Sequence, residues 1–182
     1  MAGEIGLNIE IKRKSGLLGW IKFLRAQKIM DSMPLYVGIP EEKTNRDGIL
    51  NNAQLAYLHS NGSAVNNMPA RPFLEPAIEQ PEVLNKMANQ FKEAFISAMD
   101  GDQGGAYAHL SKAGMYGANA AKQYIGSENL APNAPITIEG GWMRNKVSGK
   151  PFYVKGKGSS APLIDTGSLR SSITYVIGEK GD

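Results

Sequence analysis

The chain has 182 residues, 20 basic against 17 acidic, a formal net charge of +3 and no cysteine. That length suits a single domain, residues 1–182, able to bury a core without staples, and the missing cysteines rule out disulfides, thiolate metal sites and a cysteine nucleophile. The charge balance lies far from that of a dedicated nucleic-acid binder, no run approaches the roughly 20 apolar residues of a membrane span, and Met1 to Leu7 lacks the basic and apolar regions of a leader. The expectation is a protein of the reducing cytoplasm with no membrane partner.

Residues 5 to 12 alternate Ile5, Leu7, Ile9 and Ile11 with Gly6, Asn8, Glu10 and Lys12, the period-two pattern of a half-buried strand. Leu17 to Met30 fits a short amphipathic helix imperfectly, with Trp20 beside the stripe and Lys22, Arg25 and Lys28 left for solvent. Leu35 to Ile39 reads as a strand stopped by Pro40. Glu41 to Asn52, rich in charge and Asn around Gly48, reads as a surface loop. The next segment, from Asn52 to Asn61, is a short helical pattern ended by Gly62.

Pro69, Pro72 and Pro76 then make a stiff connector that still presents Arg71 and Phe73. Each proline fixes its own φ and pushes the preceding residue towards extended geometry, so Ala70 to Glu75 is expected to be neither an ordinary helix nor a central strand. Beyond it, Val83, Leu84, Met87, Ala88, Phe91, Ala94, Phe95, Ala98 and Met99 recur at helical spacing. Pro81 suits the first turn, Glu82 the positive end of the dipole, and Gly101 the stop. A second helix is predicted over Ala106 to Ile125, with small residues in mid-stripe. Gly114 and Gly117 each weaken an isolated helix by roughly 1 kcal/mol relative to Ala, so a close-packed neighbour is expected there, either the first long helix or another subunit.

From Ala131 onward the chain is rich in Pro and Gly, with β-favouring runs at Ile136 to Ile138, Phe152 to Val154 and Ile173 to Ile177. A β-rich end with a long loop is expected. Residues 140–164 hold Arg144, Lys146, Lys150, Lys155 and Lys157 and no acidic residue, and Gly149, Gly156 and Gly158 mark the stretch as a mobile basic loop. Together these elements predict an α+β fold, a small twisted β-sheet packed against two long helices, with extended loops. No internal repeat of 20 to 50 residues argues for a solenoid.

Asp165-Thr166-Gly167 after Leu163-Ile164 matches the local signature of aspartic proteases, in which two aspartates share a proton. A second such tripeptide is absent, and only 15 residues follow Gly167, too few for the strands of such a half-barrel. The tripeptide is instead expected to end a loop and cap the turn before Leu169. His59 and His109 stand apart, without acidic residues at metal-ligand spacing, and no nucleophile-elbow or phosphate-loop pattern appears. The reading is of a non-enzymatic protein without cofactor or metal.

Three blocks together carry a family resemblance: Ala56 to Gly62, a helix end of the form A-x-x-H-x-x-G; Pro69 to Leu74, P-A-R-P-F-L; and Pro162 to Ile173, P-L-I-D-T-G-x-L-x-x-S-I. The chain resembles the neck or tail-completion proteins of tailed bacteriophages, described as virion-morphogenesis or minor tail protein Z-like. The first block is degenerate, with Ser60 where an acidic residue is expected, and the other two are more specific. The resemblance implies a structural virion protein at the joint between head and tail. It implies a ring of copies of itself, six on a sixfold tail, contacting neighbouring neck and tail proteins and assembling in the host cytoplasm. Tail terminator, head-side stopper and small DNA-binding or enzymatic phage protein are the alternatives.

On that reading Arg71, Phe73 and Leu74 are interface anchors, the alternative for Arg71 being a fork to carbonyls or a carboxylate of its own subunit. For the basic stretch, Arg144, Lys146, Lys150, Lys155 and Lys157 with Trp142, Phe152 and Tyr153 interleaved, two readings stay open. One is sequence-independent contact with DNA in the lumen of a neck; the other is a solvated or subunit-bridging loop.

Overall fold

The computed structural model describes residues 16–43, 50–64, 68–145, 147–164 and 166–178. The expected strand over 5–12, Lys146 and Asp165 lie outside the described residues. In chain order the elements are α1 (Leu17–Asp31), β1 (Leu35–Gly38), α2 (Asn52–Asn61), α3 (Leu74–Ile78), α4 (Pro81–Met99), α5 (Gln103–Tyr124), α6 (Pro135–Glu139), β2 (Gly140–Arg144), β3 (Pro151–Lys155), α7 (Ser168–Ser172) and β4 (Thr174–Ile177). A short 3-10 turn, Glu41–Lys43, follows β1.

The fold is α+β. Helices α4 and α5 form its frame, a hairpin closed by a tight turn in which Asp102 caps α5 by accepting a 2.8 Å bond from the Gly105 amide. Pro81 sits in the first turn of α4, where its missing N–H costs nothing. In that same turn Glu82 accepts a hydrogen bond from Lys86, and that bond and charge hold its carboxyl below the usual carboxylate range. Met87, Ala94 and Ala98 of α4 and Ala106, Leu110, Ala113, Gly114, Gly117, Ala118 and Ala121 of α5 are buried. Small side chains on both helices let their axes approach and let other elements seat on top.

The expected single sheet is two separate antiparallel pairs among the described residues, β1 with β4 and β2 with β3. The first joins distant parts of the chain in the register Leu35↔Ile177 to Gly38↔Thr174 and lies on α5. The glycine stripe of α5 explains its seat. A Cβ at Gly114 would fall 2.4 Å from the Tyr175 ring of β4, and one at Gly117 would fall 3.2 Å from Val37 of β1 and 3.5 Å from Met87 of α4. The close-packed neighbour is therefore the sheet at Gly114 and both the sheet and α4 at Gly117.

Two hydrophobic clusters result. Phe73, Ala77, Ala118, Ala121, Ile125, Leu130, Leu169 and Ile173 form the larger one, drawing on the connector, α5 and the C-terminal block. Ala26 and Ile29 of α1 pack with Ala98 and Ala106 in the second. Further towards its N-terminus α1 stacks Trp20 on Phe23 and sets Phe23 against Phe95, while Lys22 meets Asp100 at 3.0 Å.

Three local expectations change. Ile136 to Ile138 lies in α6 rather than in a strand, because Pro135 at its first position suits a helical turn and Gly140, at φ 80°, ends it. Leu74 and Glu75 are helical, since Pro76 is only the third residue of α3, where an amide has no intrahelical partner to lose. The basic stretch is not one long loop, for Gly140–Arg144 and Pro151–Lys155 pair as the β2–β3 hairpin. Asn145 sets its turn, its side-chain oxygen accepting from the amides of Val147 and Ser148 at 2.9 Å each.

Candidate functional site

Asn51 caps α2 in a capping box. Its side chain accepts from the Gln54 amide at 2.8 Å, and the Gln54 side chain accepts from the Asn51 amide at 3.1 Å. This holds the helix so that the next residue, Asn52, is only 2% exposed and meets Ser168 of α7. The Asn52 amide donates to the Ser168 hydroxyl at 3.2 Å and to the Lys43 carbonyl at 3.4 Å. One buried amide thus ties α2 to both the end of the β1 arm and the C-terminal block. Asn52→Ala is expected to lose about 1 to 2 kcal/mol of stability, and Ser168→Ala less, since Asn52 keeps other partners. Chemical denaturation of both variants checks the order.

At its other end α2 stops at Gly62, with φ 72°. A Cβ there would fall 2.7 Å from the Ala70 amide nitrogen and 2.7 Å from the Met68 carbonyl oxygen, so both the angle and the space call for glycine. The connector crosses at this point, and the Arg71 amide donates to the His59 carbonyl at 2.7 Å. The first and second sequence blocks are thus joined backbone to backbone.

The docking role expected of Arg71, Phe73 and Leu74 is corrected by their surroundings. Arg71 is 7% exposed and Phe73 3% exposed within the single chain. The guanidinium donates from Nε to the Ala131 carbonyl and from Nη2 to the Pro132 carbonyl, both at 2.7 Å. Burial lowers its pKa from the ordinary value, although a guanidinium stays protonated in proteins. Leu74 is half-buried and packs against the same cluster as Phe73. A rigid strut within the subunit, with Arg71 as its fork, describes the connector; the prolines hold Arg71 and Phe73 towards the interior.

The third block meets the first two. Leu169 and Ile173 share a core with Phe73 and Ala77, and Thr166 accepts a 3.3 Å bond from the Ser168 amide as α7 begins, the capping role expected of that turn. Between α2, the base of the hairpin and this block lies an open cleft of about 310 Å³, lined by Leu55, His59, Asn133, Thr137, Lys157 and Thr166 among others. Several of its polar side chains are occupied by the chain itself. Asn133 donates to the carbonyls of Ser160 and Ala161 at 3.0 and 3.2 Å. Lys157 donates to the carbonyls of Ala161 and Ile164, bracketing Leu163, whose φ of 59° is costly for a bulky residue. The ammonium therefore braces a strained turn in the third block.

Of the basic residues read as nucleic-acid or subunit contacts, Lys157 leaves the set, because it is half-buried and bonded to those carbonyls. Arg144, Lys150 and Lys155 stay on the exposed hairpin. His109 lies elsewhere, its Nδ1 within 2.9 Å of Gln90 Oε1 between α4 and α5. The sequence reading missed the Asn52–Ser168 link and the Lys157 brace. A signal for the first was present, since Asn51 followed by Gln54 is a capping-box pattern that fixes where Asn52 must point. None announces the second.

Comparison of the chain with protein-family models, curated proteins and solved structures finds no match in any of the three.

Proposed function

We propose that this protein is a structural subunit of a tailed-phage neck, a ring component that completes the tail and joins it to the head-side connector. The observation that carries the reading is the convergence of the three blocks behind the resemblance. Separated by up to about a hundred residues in sequence, they meet through the Arg71 amide to the His59 carbonyl and the shared Phe73, Leu169 and Ile173 core, and Asn52, at the start of the helix that carries the first block, bonds Ser168 of the third. A set of motifs that folds into one joint is compatible with a shared architecture and supports the reading to that extent.

With Arg71 and Phe73 committed to the interior, interfaces must come from other surfaces. The first two turns of α1 expose Leu17, Leu18, Trp20, Ile21 and Leu24, with Leu17 at 78%. Such a run is more than scattered surface apolarity and suits burial between copies in a ring.

The test is assembly. Immunogold labelling of tailed particles carrying this chain should mark the head–tail joint; label on the capsid or on the distal tail would sink the reading. In the purified protein, Leu18→Asp and Ile21→Asp should abolish the ring seen by sedimentation and negative-stain imaging. Because both side chains are exposed, each should shift monomer stability by under about 0.5 kcal/mol. Unchanged assembly in both would remove α1 from the interface.

A further inference from the structure

The β2–β3 hairpin has two unlike faces. Cross-strand partners project to the same side and successive residues to opposite sides, so the register Trp142↔Tyr153, Met143↔Phe152, Arg144↔Pro151 sorts the side chains. Met143, Phe152 and Val154 share one side with Gly141. A Cβ at Gly141 would meet Ile136 of α6 at 2.8 Å, so that side turns towards α6 at its base, while Met143 and Phe152 nearer the turn are less exposed than the rings opposite, at 41% and 45%. Trp142, Tyr153, Arg144 and Lys155 share the other by this alternation, Lys155 standing at the base where the hairpin also borders the cleft. There Trp142 is 73% exposed and Tyr153 59% exposed, and Arg144 and Lys155 are exposed beside them.

The arrangement on this outer side is ordered. Trp142 and Tyr153 meet edge to face with ring centroids 5.6 Å apart. Arg144 stands two residues beyond Trp142 towards the turn, and Lys155 two residues beyond Tyr153 towards the base. An aromatic pair is thus bracketed by two cations about 13 Å apart along the ribbon, at roughly 3.3 Å per residue. Lys150 adds a third exposed cation near the turn, and no Asp or Glu occurs between residues 140 and 164, Glu139 at the base of the hairpin being the nearest acidic residue in sequence.

We infer that this outer face of the hairpin binds single-stranded nucleic acid, with bases stacking on Trp142 and Tyr153 and phosphates meeting Arg144 and Lys155. The inference goes beyond the neck reading and stands without it. Aromatic rings accept any base by its flat face, and flanking cations track the backbone without reading sequence. Two features favour this ligand over an acidic protein surface. An acidic surface would use the cations but leaves the two large exposed rings without matching planar partners. A duplex offers phosphates but keeps its bases stacked on each other, away from the rings. Lone base stacking on an aromatic is a substantial and sequence-tolerant gain, so the rings should discriminate strand number.

The experiment uses the full chain in a Trp20→Phe background, so that Trp142 is its sole tryptophan, titrated with a sixteen-nucleotide oligothymidylate at low salt. Quenching of Trp142 fluorescence with saturable binding is expected, and the logarithm of affinity should fall with the logarithm of salt at a slope of about −2, as for two to three phosphates on a single strand. A duplex of equal length should bind at least tenfold more weakly. In the same chain Tyr153→Ala, and separately Arg144→Glu with Lys155→Glu, should each weaken binding at least tenfold, with circular dichroism unchanged because these side chains are exposed. For Trp142→Ala, read by anisotropy of a labelled oligonucleotide, the same loss is expected. Absence of quenching, equal binding of polyglutamate, or full affinity in Trp142→Ala would overturn the inference. So would a result in which these substitutions change only the sedimentation of the protein, which would make the face a contact between copies. Immunogold location at the head–tail joint is independent of all these readouts, so either reading can fail alone.

Discussion

Phe73→Ala is expected to lower the unfolding free energy by about 3 to 5 kcal/mol, and Arg71→Ala by about 1.5 to 3 kcal/mol. Phe73 is 3% exposed in a cluster that includes Ala77, Ala121, Leu169 and Ile173. Ala118 and Ala121 of α5, buried in the same cluster, are too small to fill the space vacated, so a cavity is expected and the cost should fall within the usual range. Arg71 contributes two charge-assisted bonds to carbonyls, and Pro132 is an exposed residue, so water is expected to reach its carbonyl when the guanidinium is removed. That partial rescue places Arg71 below Phe73. Phe73→Leu, which keeps most of the volume, should cost about 1.5 kcal/mol or less. Equilibrium urea unfolding gives all three values. If Phe73→Ala unfolded at the wild-type midpoint, the reading of the connector as an intrachain strut anchored by Phe73 would fall.

How the connector was read shows what a sequence makes legible. Three prolines announce stiffness, since each acts on its own backbone and that of its neighbour. They do not announce direction. Whether Phe73 points to a partner or to the core depends on where α5 and α7 run, and those contacts come from residues about 45 to 100 positions away. The same division holds elsewhere. The long helices α4 and α5 were legible because their apolar period is local, and the Gly114 and Gly117 stripe correctly called for a close neighbour. The identity of that neighbour was not legible: β4 is brought there by antiparallel pairing with β1, from the opposite end of the described chain. Ile136 to Ile138 shows the converse, a β-favouring triplet overruled by Pro135 before it and Gly140 after it. For the candidate site, the cations on the hairpin could be counted in the sequence. Only the register separates Arg144 and Lys155, which flank the rings, from Lys157, which is spent on two carbonyls.

Gly114→Leu should be the most damaging substitution on α5, costing about 3 kcal/mol or more, and Gly114→Ala decides whether the reason is the one argued. Two effects of opposite sign compete in the alanine variant. Replacing a mid-helix glycine stabilises a helix by roughly 1 kcal/mol. Against this, the new Cβ would fall 2.4 Å from Cγ, 2.5 Å from Cδ2 and 2.8 Å from Cβ of Tyr175. A ring can rotate away, but its Cβ is fixed to β4, so relief requires the strand to retreat from α5 and take its partner β1 with it. The steric cost should win, leaving Gly114→Ala less stable by about 1 to 2 kcal/mol. At Gly117 the balance reverses. The new Cβ would lie 3.2 Å from a Val37 methyl and 3.5 Å from the flexible end of the Met87 side chain, so β1 has to give by only a few tenths of an ångström, far less than β4 at Gly114. Gly117→Ala should therefore be neutral or slightly stabilising, while Gly117→Leu, with three more carbons to place between Val37 and Met87, should cost several kcal/mol. Thermal and urea unfolding of the four variants, with Tyr175→Ala added to Gly114→Ala as a double-mutant cycle, tests the account. The coupling should be favourable, because removing the ring leaves only the Cβ contact to relieve. Equal effects of alanine at the two glycines, or zero coupling to Tyr175, would mean that the sheet is not seated on this stripe.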